Sequence, residues 1–554
     1  MDFEKCSSFQ IRVAITLLGA VLFIPFLHQV HLFDWDEINF AEAAREMLVT
    51  GNYSQVQINY EPFWEKPPIF FWMQALCMNV FGINEFAARL PNALCGIATL
   101  LFLFQIGNRI QSKTFGIFWV FLYASSLLPL LYFRSGIIDP WFNLFIFGGI
   151  YFAFEYINEY AKNTSNPSYK WLVLAGVSIG LGIMTKGPVA LLIFSAVYGA
   201  YWGLNRFRVF ISFKGLLVFT LTLVLTGSFW FITEYISGRG YIIEEFITYQ
   251  IRLLETQDAG HGGPFIYHWI VLLIGCFPLS VFALNSLFKN HFSGKSGLYQ
   301  RLMFLLFWIV LILFSLVKTK IIHYSSLCYL PLSFFAAVGL QEVIKRGTLS
   351  LFQKTMFWIL GIFWALAMFA LPILGSKSKW LSTAEFINDE FAKANFQANV
   401  SWGAVHYLAG IVFLAGLVAF LIGKIDIKRV IIFLTATCTS FTLLMVTIVP
   451  NIEGYTQRAA IEFYKSKIGQ DCYVDTYGFK SYADLFYSQK PKFSNPNHSD
   501  LGWLLNGECD KPVFLVMKIT SMEDFESQYP HFSHLESKNG FAFYERKIPT
   551  PPSY

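Results

Sequence analysis

Two charged and aromatic stretches, DWDEINFAEAAREM from residue 34 and YEPFWEKPP from residue 60, interrupt an apolar sequence and carry Asp36, Glu37, Glu65 and Lys66. Charges beside an apolar segment are costly unless water, a partner or a ligand stabilises them, so this cluster is a candidate site by composition alone. A carboxylate there can accept a proton from an attacking hydroxyl, and a fixed ammonium can stabilise an oxyanion as it forms. Asp34 or Asp36 equally suits the N-cap of the helix that follows.

Further polar islands recur downstream. LYFRSGIIDP carries Asp139, followed by Pro140, a pattern that also suits the first turn of a helix. MTKGP carries Lys186; YQIRLLETQDAGHGGPF carries Arg252, Asp258 and His261; LVKTKIIHYSS carries Lys318, Lys320, His323 and Tyr324. Each has a bland explanation, since lysines contact lipid headgroups, glycines make turns and interfacial tyrosines belong to an aromatic belt. Their joint placement on one side of a membrane is what points to a site.

That placement follows from the elements between them. Of 554 residues, 55% are hydrophobic and only 14% charged, which marks a polytopic membrane protein. Apolar runs suited to a hydrocarbon core of roughly 30 Å predict about thirteen spans. They lie near 11–30, 86–107, 114–132, 140–158, 170–184, 188–204, 215–235, 265–288, 300–317, 325–342, 356–374, 404–423 and 430–450. Lysine and arginine collect in alternate loops, from Arg109 and Lys113 through Arg206 and Arg208 to Lys424 and Arg429. Those loops are read as cytoplasmic. The N-terminus is then inside, the first outer loop (31–85) faces the opposite side, and an odd number of spans leaves the tail outside as well. The formal charge of +5 is dispersed and forms no continuous basic face, which argues against a nucleic-acid partner.

Within the outer loop, 67–81 is short for a span, and 37–49 alternates apolar Phe40, Ala44, Met47 and Leu48 with polar Asn39, Glu42, Arg45 and Glu46. Both are expected as helices lying along the interface. The reading is a membrane domain over 1–450 and a small extracytoplasmic α/β domain over 451–554, whose Cys472 and Cys509 would be free to pair in an oxidising compartment.

DWDEINFAEAAREMLVTGNY, EPFWEKPPIFFW, IIDPWF, GIMTKGP, DAGHGGPF and KTKIIHYSS, in this order over roughly 10–345, resemble the bacterial branch of the protein-mannosyltransferase clan, and within it the ArnT-like lipid A transferases. The resemblance implies a GT-C glycosyltransferase of the bacterial inner membrane. Such an enzyme moves a sugar from a polyprenyl (undecaprenyl) phosphate, with inversion at the anomeric carbon, to a lipid A-like, glycan or protein acceptor on the periplasmic face. By motif position Asp36 is the expected base, with Glu37 its rival and Asp139 assisting. Lys66, Arg252, Lys320 and Tyr324 are expected on the donor phosphate. Glu65 and His261 are candidate ligands of a divalent metal ion. The sequence departs from the family where a His-x-Gln-Arg element is expected and Tyr249-Gln250-Ile251-Arg252 stands instead, which shifts the phosphate contact there by a residue. A protein O-mannosyltransferase shares the Asp-Glu motif. A transporter of a lipid-linked sugar is the alternative from another class, although no internal repeat of the kind such carriers show is present.

Overall fold

The computed structural model describes residues 3–34, 36–162, 167–255, 262–289 and 294–547. Each apolar segment expected to span is helical over most of its length, although 11–30 is helical only to Phe23 and 265–288 is divided into Tyr267–Gly275 and Leu279–Leu287. Among the described residues six helices are long and apolar enough to cross a bilayer unaided, and the pair Phe213–Gly227 and Phe229–Ile236, bent by 49°, makes a seventh if taken as one span. Others, such as Ser8–Phe23, Lys113–Ala124 and Val189–Leu204, are shorter apolar helices. The chain is therefore a multi-pass membrane protein.

Where the helices must approach closely, small residues allow it. A Cβ on Gly176 would meet the Phe219 carbonyl oxygen at 2.7 Å, and one on Gly180 would meet Thr226 Cβ at 2.6 Å. Helix Lys170–Lys186 is thereby seated on Phe213–Gly227, and that seat fixes the position of Lys186 at its end.

The outer loop folds into helices Asp36–Thr50 and Ile69–Phe81, joined through a two-stranded hairpin of β1 (Gln57–Ile58) and β2 (Glu61–Pro62). Its turn holds Asn59 and Tyr60 at positive φ (56° and 63°), the geometry that matches strand twist in a tight hairpin. Trp72 Nε1 donates to the Tyr53 carbonyl at 2.6 Å and Trp230 Nε1 to the Ser54 carbonyl at 2.8 Å, so the loop is tied to the membrane helices.

Helix Asp36–Thr50 differs from expectation. It is buried nearly all round, including the polar face that an interfacial helix would turn to water. The cover is the C-terminal domain, whose four-stranded sheet has the order β3-β4-β6-β5 (Tyr473–Tyr477, Val513–Lys518, Phe541–Arg546, Ser533–Lys538), parallel between β3 and β4 and antiparallel elsewhere. Ile38, Ala41 and Ala44 share one core with Ile461, Phe486 and Phe543. Burial of the polar face is tolerable because its charges are paired. Glu42 takes a bidentate bond from Arg45 (2.7 and 2.6 Å), and Arg45 also donates to the Lys490 carbonyl at 2.9 Å. Burial and the neighbouring Glu42 push the Glu46 carboxyl up to about 9, so at neutral pH it is protonated.

Cys472 and Cys509 are both free thiols. They sit in different cores, one with the helix just described and the other beneath Trp503 and Phe525, which explains why they do not pair.

Candidate active site

Helix Asp36–Thr50 begins at the Asp-Glu pair, and adjacent residues on a helix point about 100° apart. The two acids accordingly meet different surroundings. The Asp36 side chain is 45% exposed, and its Oδ2 lies 3.3 Å from His323 Nε2. Glu37 is 2% exposed and saturated: Arg89 grips it bidentately at 2.7 and 2.8 Å, and the backbone N–H groups of Phe33 (2.8 Å) and Gly136 (2.5 Å) donate to it. A carboxylate with four donors has no lone pair directed at a substrate proton. Glu37 thus ties together three segments of chain, whereas Asp36 is presented to the cavity.

Asp139 opens helix Asp139–Tyr160, with Pro140 in its first turn. Its side chain receives Lys186 Nζ at 2.5 Å and lies 3.9 Å from His323 Nε2. His323 consequently stands between two carboxylates. Lys186 is also 5.1 Å from the centre of the Tyr324 ring, which puts Tyr324 on the wall beside the pair.

Lys66 follows the hairpin and lies 3.7 Å from Glu65. Its ammonium is 4.8 Å from the centre of the Tyr249 ring, and the Arg252 guanidinium is 5.2 Å from the same centre. Two cations that arrive from distant parts of the sequence thus flank one aromatic ring. Burial lowers the pKa of Lys66, partly offset by Glu65, which is what removal of water from a cation entails.

Lys320 is not among these groups. Its Nζ donates to the carbonyls of Phe314, Ser315 and Val317 at 3.0, 2.7 and 2.6 Å, using all three protons to cap the end of helix Gly294–Leu316. The expectation of a phosphate contact there is corrected by that geometry. His261 and Asp258 lie outside the described residues. Among the described residues no group of three or more His, Cys, Asp or Glu side chains is arranged to hold a metal, and the nearest charged partner of Glu65 is Lys66.

Asp36, Asp139, Lys66, Lys186, Arg252 and Tyr324 all line one cavity of about 670 Å³. Several of its other residues escaped sequence reasoning. Asn143 reaches it from the helix begun by Asp139 and donates to Tyr132 and Ser326, both at 2.8 Å. Asn39 reaches it one turn after Asp36, and Lys480 and Tyr482 reach it from the C-terminal domain. His323 stood in a recognised polar island, but without a spacing that distinguishes it from Lys320.

The family model for dolichyl-phosphate-mannose-protein mannosyltransferases matches residues 65–230. Over 333 residues the chain is 28% identical to an undecaprenyl phosphate-alpha-4-amino-4-deoxy-L-arabinose arabinosyl transferase of Proteus mirabilis, covering 58% of each chain. A protein of the same description from Photorhabdus laumondii is 24% identical over 67% of this chain and 66% of its own length. The chain thus matches somewhat less than two thirds of these relatives' length. The crystal structure of ArnT from Cupriavidus metallidurans bound to undecaprenyl phosphate superposes with a TM-score of 0.75 over 98% of both chains, at 16% identity. The chain has the fold of that structure. Fold likeness at that level extends to the C-terminal sheet domain, which the motif resemblance over 10–345 did not cover. The chain therefore shares a whole architecture with that structure.

Proposed function

We propose that the protein is an inner-membrane glycosyltransferase that moves a sugar from a polyprenyl phosphate to a lipid A-like or related envelope acceptor. The observation that carries this reading is the convergence, in one cavity, of the half-exposed Asp36 with the Lys66 and Arg252 pair across the Tyr249 ring. One group is suited to take a proton and the other to hold a phosphate. The relatives' names, which specify an undecaprenyl-phosphate-linked arabinose donor, support the same donor class.

In this mechanism an acceptor oxygen attacks the anomeric carbon from the face opposite the phosphate. The new C–O bond forms as the bond to the phosphate oxygen breaks, the electron pair stays on the phosphate, and the configuration inverts. Asp36 takes the acceptor proton. His323, between Asp36 and Asp139, orients the base, while Lys66 and Arg252 stabilise the charge gathered on the leaving phosphate. Asp139 and Lys186 neutralise one another, and the pair gives the cavity floor a fixed polarity without net charge. Glu65 holds Lys66 in position.

The orientation we infer has the N-terminus in the cytoplasm and the C-terminal domain in the periplasm. Two contacts support it. Lys113, in the first basic loop, donates to the carbonyls of Glu4 and Cys6, and Lys480 of the C-terminal domain lines the same cavity as Asp36 of the first outer loop.

The test is turnover. Purified protein given labelled undecaprenyl-phosphate aminoarabinose and lipid A should release free undecaprenyl phosphate and labelled lipid A. Movement of the donor across a vesicle membrane with its glycosidic bond intact would replace this reading with the transporter. Labelled protein in place of lipid would favour the O-mannosyltransferase reading.

A further inference from the structure

The cavity has two ends of different character. At one, Phe63, Glu65, Tyr249 and Arg252 are shared with a second, smaller cavity of about 240 Å³ that continues past the helix Tyr241–Glu255. This is the end where Lys66 and Arg252 meet. The C-terminal residues Lys480 and Tyr482, with Asp34 and Asn39, line only the larger cavity.

That second end is a built surface. Gly478 turns the chain at φ 77° directly after β3, and the Thr476 hydroxyl closes the turn by donating to the Phe479 carbonyl at 2.9 Å. The Tyr482 backbone N–H then donates to Asp34 Oδ1 at 3.3 Å, and the Tyr487 hydroxyl accepts from the Leu32 N–H at 2.6 Å. The segment bearing Lys480 is therefore fixed against the residues just before Asp36. Lys480 itself lies 5.1 Å from the centre of the Tyr482 ring, and the residue is exposed and lines the cavity. Asn39 adds an independent observation. It is 8% exposed, shares a helix face with Asp36 one turn earlier, and its side-chain carbonyl takes no hydrogen bond among the described residues. A buried acceptor left unmatched is costly unless a ligand donor or water meets it.

We propose that Lys480, Tyr482 and Asn39 form the acceptor subsite, so that the C-terminal domain completes the active site. Lys480 binds an anionic group of the acceptor, such as a phosphate on a glycolipid headgroup, and the Asn39 carbonyl accepts from a hydroxyl of the same headgroup. Tyr482 supplies a flat apolar face for the sugar ring. The subsite holds the nucleophile against Asp36 while the donor phosphate occupies the other end. This rests on the glycosyltransferase reading and assigns that reaction's second substrate to particular residues.

The experiment measures equilibrium binding of lipid A and, separately, of undecaprenyl phosphate to detergent-purified full-length protein by native mass spectrometry. Lys480→Ala should weaken lipid A binding about tenfold and Lys480→Glu further, with undecaprenyl phosphate binding unchanged and Lys480→Arg restoring most of the affinity. Lys66→Ala should give the reverse pattern. Unaltered lipid A affinity in both Lys480 variants, equal loss of both lipids, or a wild type that does not bind lipid A would each overturn the subsite. A wild type that binds both lipids and transfers nothing would instead sink the glycosyltransferase reading, leaving the binding assignment to stand on its own data.

Discussion

Glu37→Gln separates the two acids of the Asp-Glu pair. The substitution keeps the shape of the side chain but replaces an acceptor oxygen with an NH2 group that faces donors, since Arg89, Phe33 and Gly136 together direct four N–H groups at the carboxylate. Arg89, 3% exposed, also loses the carboxylate it pairs with among the described residues while keeping its bonds to the carbonyls of Leu27, Val30 and His31. Removal of one partner of a buried ion pair costs about 3–5 kcal/mol, and the retained carbonyl bonds place this case near the lower end. A cost near 3 kcal/mol lowers the folded-to-unfolded ratio roughly a hundredfold. By contrast, Asp36→Asn touches a side chain 45% exposed with one neighbour at 3.3 Å and should change stability by less than about 1 kcal/mol. Chemical unfolding in detergent micelles, paired with transfer activity per folded molecule, reads both quantities. A Glu37→Gln protein as stable as wild type but unable to transfer would refute the assignment and make Glu37 the base.

Other expectations follow from single contacts. Lys66→Ala should raise the donor KM and lower turnover together, by about tenfold or more, since it removes one of two cations beside Tyr249; an unchanged donor affinity would remove the phosphate contact. Lys320→Ala should destabilise the protein by about 1–2 kcal/mol through loss of a helix cap and leave the donor KM unaltered, as steady-state kinetics would report. Glu46, raised to about 9, binds a proton in the folded state that the unfolded chain releases near its ordinary carboxylate range. Its contribution is complete at low pH and is lost as pH rises toward 9, so Glu46→Gln should flatten the fall in thermal stability between pH 6 and about 9.

Much of the site was legible because its residues are expensive where they are. Asp36, Lys66 and Asp139 interrupt apolar sequence, and charge beside a membrane carries its own signal. Helix positions were legible from the length of the apolar runs, as each expected span is helical over most of its length. Contacts between distant segments were not. Lys66 and Arg252 share Tyr249 only after folding, and Lys320 differs from them solely in facing three carbonyls at the end of its own helix. Helix Asp36–Thr50 carries an amphipathic pattern, and the pattern shows two faces without showing what covers the polar one. Here the cover is another part of the chain 445 residues away, as the bond from Arg45 to the Lys490 carbonyl shows. The acceptor end was hidden by the same cause, since Lys480 and Tyr482 lie in a polar tail where such residues are ordinary.

The central claim is that Asp36 is the base, and the single-turnover rate of Asp36→Asn measures it most directly. With donor and lipid A pre-bound to the folded variant, transfer should fall by about 10²–10⁴ while undecaprenyl phosphate binding stays at the wild-type value. A rate within a few-fold of wild type would contradict the account.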